Sequence, residues 1–249
     1  MTKPEQLLTK GLSGLAHPVG LEEEQLRQLR VFFENLTEWN KVMNLTAITE
    51  EEDVYVKHFL DSLSILEVMD RAELGKYRKV IDVGTGAGFP GLVLAIAFPE
   101  LQVTLMDSLN KRISFLNDTI QKTGISNVVT IHARAEELAH DKNHREKYGM
   151  AVSRAVANLA TLCEYDLPFI KTGGIFVAYK SEKAAEELES GKKAIRILGG
   201  KLKQKHEFLL PGTDYGRTLI TIQKVKSTPF KYPRKAGTPS KQPLGQENS

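Results

Sequence analysis

The residues with the clearest chemical potential form the run Asp82-Val83-Gly84-Thr85-Gly86-Ala87-Gly88-Phe89-Pro90-Gly91, between the β-rich KVIDV and the apolar LVLAIAF. Glycines between a strand and a helix let the backbone turn tightly and come close to a ligand. In an open α/β sheet such a loop lies at the carboxyl ends of the strands, where ligands bind. The run contains Gly86-Ala87-Gly88-Phe89-Pro90-Gly91, a formal G-x-G-x-x-G match, so a nicotinamide dinucleotide site is one reading. Three features point away from it. Asp82, two residues before the first glycine, is placed to receive an ammonium group. Pro90 falls in the first turn of the next helix, where a pyrophosphate needs free N–H groups. The sheet also closes with an antiparallel pair. A second acid, Asp107, ends the next strand, where a carboxylate can accept both hydroxyls of a ribose. It supports a nucleoside cofactor without choosing its kind. A P-loop is excluded, because no G-K-[S/T] follows the glycines.

The elements that must position these residues are legible as changes of period. From Lys79 to Lys180, short β-rich runs alternate with helical stretches, which implies a parallel sheet covered on both faces. Residues 201–225 read as two strands around the turn PGTDYG, so that closing pair is antiparallel. Upstream, Leu26, Leu29, Phe32, Leu36 and Met43 recur at helical spacing. A second helix is expected from Thr49, capped reciprocally with Glu52, to about Met69. Residues 1–75 thus read as a helical extension, 76–225 as the α/β domain, and 226–249 as a basic, proline-rich tail that is flexible or faces RNA.

Composition sets the frame. The chain has 249 residues, 41% of them hydrophobic, enough for one large domain with a real core. Its single cysteine, Cys163, rules out an internal disulfide or a thiolate metal cluster. No apolar stretch approaches the roughly 20 residues of a membrane helix, and MTKPEQLLTKGL lacks signal-peptide character. A cytoplasmic protein is expected, and a monomer, since no coiled-coil seam is evident. The net charge of +3 hides a polarity: −7 over residues 1–75, +6 over 76–225 and +4 over 226–249. A polyanionic partner for the basic part is expected.

The D-x-G-x-G-x-G loop, the acid after the second strand and the terminal antiparallel pair together resemble class I S-adenosylmethionine methyltransferases. The strings WNKVMNLTAI, HFLDSL, DVGTGAGFPG, DSLNKRISFL, ARAEEL and SRAVANL occur in that order. They resemble the RsmG (GidB) family, which methylates N7 of a guanine in 16S ribosomal RNA. The resemblance covers about residues 20–225, and Ser181 departs from the glycine the family often has after its lysine. It implies a Rossmann-like seven-stranded sheet with the last strand antiparallel, S-adenosylmethionine as cofactor, and 16S rRNA or the small ribosomal subunit as partner.

The expected cofactor contacts are Gly84, Gly86 and Phe89 in the loop, Ala135 and Glu136 beside the adenine, and Asp107 at the ribose. Arg154 is expected near the methionine part and, with Lys180, beside the target base. A donor to guanine O6 would hold the ring while leaving N7 free. Guanine N7 already carries a lone pair, so no general base is needed, and catalysis rests on proximity and orientation. The chain accordingly shows SRAVAN where amino-group methyltransferases carry an Asn/Asp-Pro-Pro-aromatic string, and Cys163 lies in an apolar helical stretch. Lys111, Arg112, Arg134 and the basic run 192–205 are candidate phosphate contacts. His58 and Asp61, three apart, are read as structural; Trp39 as core packing; His140 and His144 as no metal site. The alternatives are a methyltransferase for another RNA base or a small molecule, an NAD-dependent oxidoreductase, and a non-catalytic RNA-binding protein. If the tail serves RNA, deleting 226–249 should weaken RNA binding and leave cofactor affinity unchanged.

Overall fold

The alternation beginning at Lys79 builds a seven-stranded sheet in a computed structural model that describes residues 1–154, 157–181 and 184–245. The strands are β1 Lys79–Val83, β2 Gln102–Asp107, β3 Val128–His132, β4 Tyr148–Ser153, β5 Ile170–Ser181, β6 Gly200–Leu209 and β7 Gly216–Lys224. Their spatial order is β3-β2-β1-β4-β5-β7-β6. The first five are parallel, and β7 runs antiparallel between β5 and β6. The order reverses between β1 and β4, so the glycine loop after β1 and Arg154 after β4 leave the sheet at its switch point, where such sheets bind ligands.

Period-two alternation divides the interior into two cores. Ile175, Val177 and Tyr179 of β5 face one core, and Phe176 and Ala178 face the other. The first core is covered by helices α1 Lys3–Ser13, α2 Glu23–Met43, α3 Glu51–Val54, α4 Asp61–Leu63, α5 Arg71–Lys76, α6 Gly91–Ala97 and α7 Asn110–Thr123. The second lies under α8 Ala135–Leu138, α9 Leu159–Asp166 and α10 Ala184–Ile197, with α11 Thr238–Lys241 packed on α9.

The extension does not stand apart from the domain. Phe32 of α2 sits among Phe59, Phe89 and Phe115 at centroid distances of 5.5, 5.3 and 6.3 Å. The Gln25 amide donates to the last carbonyls of α6, Ile96 and Ala97, at 3.0 and 2.9 Å. These bonds satisfy helix-end acceptors that would otherwise be orphaned.

Three sequence expectations change. The helix expected to open at Thr49 starts at Glu51, with Glu50 as its N-cap and no side-chain cap bond. The hydroxyl that organises this entry is Thr46, which accepts from the Ile48 N–H at 3.0 Å. The run then widens into a π-turn over Tyr55–Leu60 and ends in a 3₁₀ turn over Ser64–Glu67. Helix α1 went unread, although Thr2 and Glu5 form the reciprocal cap that T-K-P-E encodes. The largest change is the tail, which over residues 226–245 packs on the second core. Its backbone at 226–237 lies outside the sheet ladders, and Arg145 donates to the carbonyls of Thr228 and Tyr232, each at 2.9 Å. Arg234 holds both oxygens of the wholly buried Glu164, at 2.9 and 2.7 Å, and Tyr232 and Leu244 are buried. The tail's charge is thus partly spent inside the protein. The basic run behaves similarly: Lys203 and Lys205, on the edge strand β6, pair with Glu73 and Glu207, and charged side chains protect such edges from strand addition.

Arg234→Ala leaves the buried Glu164 carboxylate without its guanidinium, with the backbone N–H of residue 234 still donating to it. The expected cost is about 3–5 kcal/mol, read as a lowered urea-unfolding midpoint; an arm free in solvent would show no change.

Candidate active site

The glycine loop is pinned before any ligand arrives. The N–H groups of Gly84 and Thr85 donate to the Met106 carbonyl at 2.9 and 3.0 Å, tying the loop to β2. Gly84 and Gly86 have φ of +71° and +61° with open space where a side chain would project. Only glycine takes this conformation without strain, and it leaves bare backbone at the surface. Gly84 thereby forms part of a cleft of about 290 Å³, together with Met106, Ser108, Ala135, Glu136 and Tyr165.

The two acids sit deeper than expected. Asp82 does not wait in the open for an ammonium group. Its side chain is wholly buried, and Oδ2 accepts from the Thr85 hydroxyl at 2.7 Å and the Gly91 N–H at 2.8 Å. The first N–H of α6 is therefore spent on Asp82, which removes the helix terminus a dinucleotide pyrophosphate would use. Desolvation raises the Asp82 carboxyl to about 6 against those two bonds, and Oδ1 is a buried atom without a hydrogen-bond partner. Asp107 is also buried: Oδ2 accepts from the Gly86 N–H at 3.0 Å and from Arg112 at 3.2 Å, and Oδ1 from the Leu109 N–H at 2.9 Å.

A second cleft, of about 400 Å³, lies beyond β4 and brings Arg154 and Lys180 together with Asp61, Tyr179, Arg217 and Thr218. Asp61 is its hub. Its Oδ2 accepts from Arg154 at 2.8 Å and its Oδ1 from Arg217 at 2.7 Å. The Arg154 guanidinium lies 4.9 Å from the Phe89 ring centroid, and its Nη2 donates to His58 Nδ1 at 3.0 Å. Arginine can only donate, so Nδ1 is unprotonated and Nε2–H bonds the Thr46 hydroxyl at 2.9 Å. His58 also stacks on Phe89 at 4.4 Å. Lys180, itself buried, donates to the Ala157 carbonyl at 2.6 Å and pairs with Glu187 at 2.7 Å.

The expected residues thus fall into three places. Gly84, Ala135 and Glu136 line the first cleft, with Gly86 and Asp107 bonded together beneath the loop. Arg154 and Lys180 line the second. Phe89, expected against the cofactor, is buried with its ring between His58 and Phe32 and supports Arg154 from below. Residues 155–156 of the SRAVANL string lie outside the described residues. Sequence reasoning missed Arg217, Tyr165, Gly237 and Ser240, whose pattern carried no local signal. It did single out His58 and Asp61, which bond Arg154 instead of each other. Cys163 is fully buried in the second core, and desolvation pushes its thiol well up. Trp39 packs edge-on against Phe115 and donates to Asp118 at 2.8 Å.

Burial, then the charge of Arg154, pushes His58 down to about 3. The unfolded chain takes up this proton near the ordinary histidine value of about 6.5, while the folded chain resists it. The contribution to stability is therefore full above pH 6.5 and declines as the pH falls towards 3. Urea midpoints measured from pH 7.5 to 5 should fall more steeply for the wild type than for His58→Gln, and the His58 ring should stay neutral at pH 5.5 by NMR.

Comparison with known proteins agrees with this architecture. The family model GidB, described as rRNA small subunit methyltransferase G, matches residues 25–212. The chain is 50% identical over 224 residues to the ribosomal RNA small subunit methyltransferase G of Alkaliphilus metalliredigens, covering 90% of this chain and 92% of that one. It is 51% identical over 235 residues to the protein of the same name from Lachnoclostridium phytofermentans, covering 94% and 95%. Among solved structures, MtNAS in complex with MTA and tNA shares the fold, with a TM-score of 0.53 at 13% identity over 79% of this chain and 71% of that one. The chain belongs to the rRNA small subunit methyltransferase G (GidB) family.

Proposed function

We propose that this protein transfers a methyl group from S-adenosylmethionine to N7 of a guanine in 16S ribosomal RNA. The observation that carries the reading is the pairing of two clefts at the sheet's switch point, one built on bare glycine backbone and one on clustered cations. The first suits S-adenosylmethionine by its chemistry: open backbone at Gly84, apolar Met106 and Leu162, and polar Ser108 and Glu136. Gly84, Ala135 and Glu136 line the cleft and would hold it, and Gly86 and Asp107, bonded together beneath the loop, support that backbone from the protein side. S-Adenosylmethionine supplies an electrophilic methyl on a sulfonium. Phe89 acts indirectly, as the floor beneath Arg154.

The second cleft suits a nucleotide. Among the described lining residues Arg154, Lys180 and Arg217 outnumber Asp61 and Glu187, a balance that favours a polyanion. Guanine O6 is an acceptor for such donors, and N7 keeps its lone pair when they bind O6. No proton has to be abstracted, and among the described residues the two acids lining this cleft are each paired with a cation: Asp61 with two guanidiniums and Glu187 with Lys180. The role of Arg154 is a fixed charge, locked by Asp61, His58 and Phe89, that orients the ring. The buried Cys163 is not a covalent catalyst. No helix among the described residues is long and apolar enough to cross a membrane. We take the active form to be a cytoplasmic monomer acting on the small ribosomal subunit.

The test is N7-methylguanine mapping on 16S rRNA from cells lacking the protein, before and after incubation with it and labelled S-adenosylmethionine. One new N7-methylguanine is expected; its absence rejects the function. Arg154→Ala and Lys180→Ala should each lower turnover, the former on the order of 10²-fold because an orienting contact is lost, with the circular dichroism spectrum unchanged. Near-wild-type turnover in Arg154→Ala removes that residue from the site.

A further inference from the structure

The C-terminal segment, outside the span matched by the family model, forms part of the first cleft. Its fastening is extensive: Arg145 binds the Thr228 and Tyr232 carbonyls, Arg234 grips Glu164, and the Thr161 hydroxyl donates to the Pro239 carbonyl at 2.9 Å. Between the anchors at Arg234 and Pro239 the chain turns at Gly237, whose φ of +79° is open to glycine without strain. That turn aims the Gly237 N–H at Glu136 Oε1, 2.9 Å away. Gly237 and Ser240 line the cleft together with Tyr165, whose pKa is raised by burial and by the charge of Glu136.

We propose that residues 228–245 are a fixed wall of the cofactor cleft, and that Gly237 and Ser240 help set its affinity for the nucleoside end of the cofactor. The inference rests on the reading of that cleft as the S-adenosylmethionine site and adds a segment to it. Glu136 is oriented by the wall before ligand arrives, and a contact fixed in advance loses less freedom on binding. The basic composition of the segment suggests service to RNA instead. The structure spends Arg234 on Glu164 and presents Gly237 and Ser240 to the cleft, which favours the cofactor.

The experiment is titration calorimetry of the full chain with S-adenosylmethionine, beside filter binding of 16S rRNA and the melting temperature of the ligand-free protein. Ser240 is exposed, so Ser240→Trp should leave folding intact while its indole obstructs the cleft. The expected result is cofactor affinity lowered at least about tenfold, or roughly 1.4 kcal/mol, with RNA affinity within about twofold of the wild type. Arg234→Ala, which frees the anchor, should shift the same way; if it does not fold, Ser240→Trp still decides. Unchanged cofactor affinity in Ser240→Trp, or loss confined to RNA binding, overturns the proposal while leaving the function standing. A wild-type chain that binds no S-adenosylmethionine overturns the reading of the cleft itself, and the wall with it.

Discussion

The second cleft depends on keeping one guanidinium charge, that of Arg154, largely buried at the end of a central strand. Burying a charge without partners is costly, and the chain answers with a carboxylate, a neutral imidazole and an aromatic face. All three come from segments that must already be folded. Asp61 and His58 belong to the irregular helical run, and Phe89 belongs to the glycine loop. The Tyr179 hydroxyl, donating to the Ser62 carbonyl at 2.9 Å, fastens that run to β5. The helical run, the loop and Arg154 are therefore held by one set of contacts.

This coupling explains why the acidic N-terminal segment shares a core with the sheet. The rings of Phe32, Phe59 and Phe89 touch across the boundary inferred at residue 75, and Gln25 and Asn35 make buried bonds into α6 and α7. Acidic residues do keep an outer face soluble there, but Glu5 is buried against Arg30 and Asp61 against two arginines. Net charge alone could not separate those carboxylates from the solvated ones.

The strand–helix alternation, its antiparallel close and the glycine loop were legible because they follow from local period and from motifs contiguous in sequence, and Arg154 and Lys180 could be put at the carboxyl edge because each follows a strand. What escaped were long-range pairings. Arg217 reaches Asp61 across 156 positions, and Gly237 reaches Glu136 across 101. No periodicity encodes such partners. The tail misled for a related reason: proline and lysine resemble disorder in composition, and only the buried Glu164 and the guanidinium of Arg145 show that this chain has somewhere to go. Thr49 misled because the helix begins two residues later, at Glu51 behind Glu50, and the hydroxyl that bonds backbone in this loop is that of Thr46, three residues earlier.

The division of the interior into two cores has its own consequence. The first cleft draws Met106, Ala135 and Leu162 from the core beneath α9 and the C-terminal segment, whereas the second draws Tyr179 and Leu219 from the core beneath the N-terminal helices. The sheet acts as a partition between two inventories of side chains. Substitutions that reshape the cleft at Arg154 need not disturb the cleft at Gly84. The shape of one cleft can therefore be varied through one core while the other cleft keeps its lining.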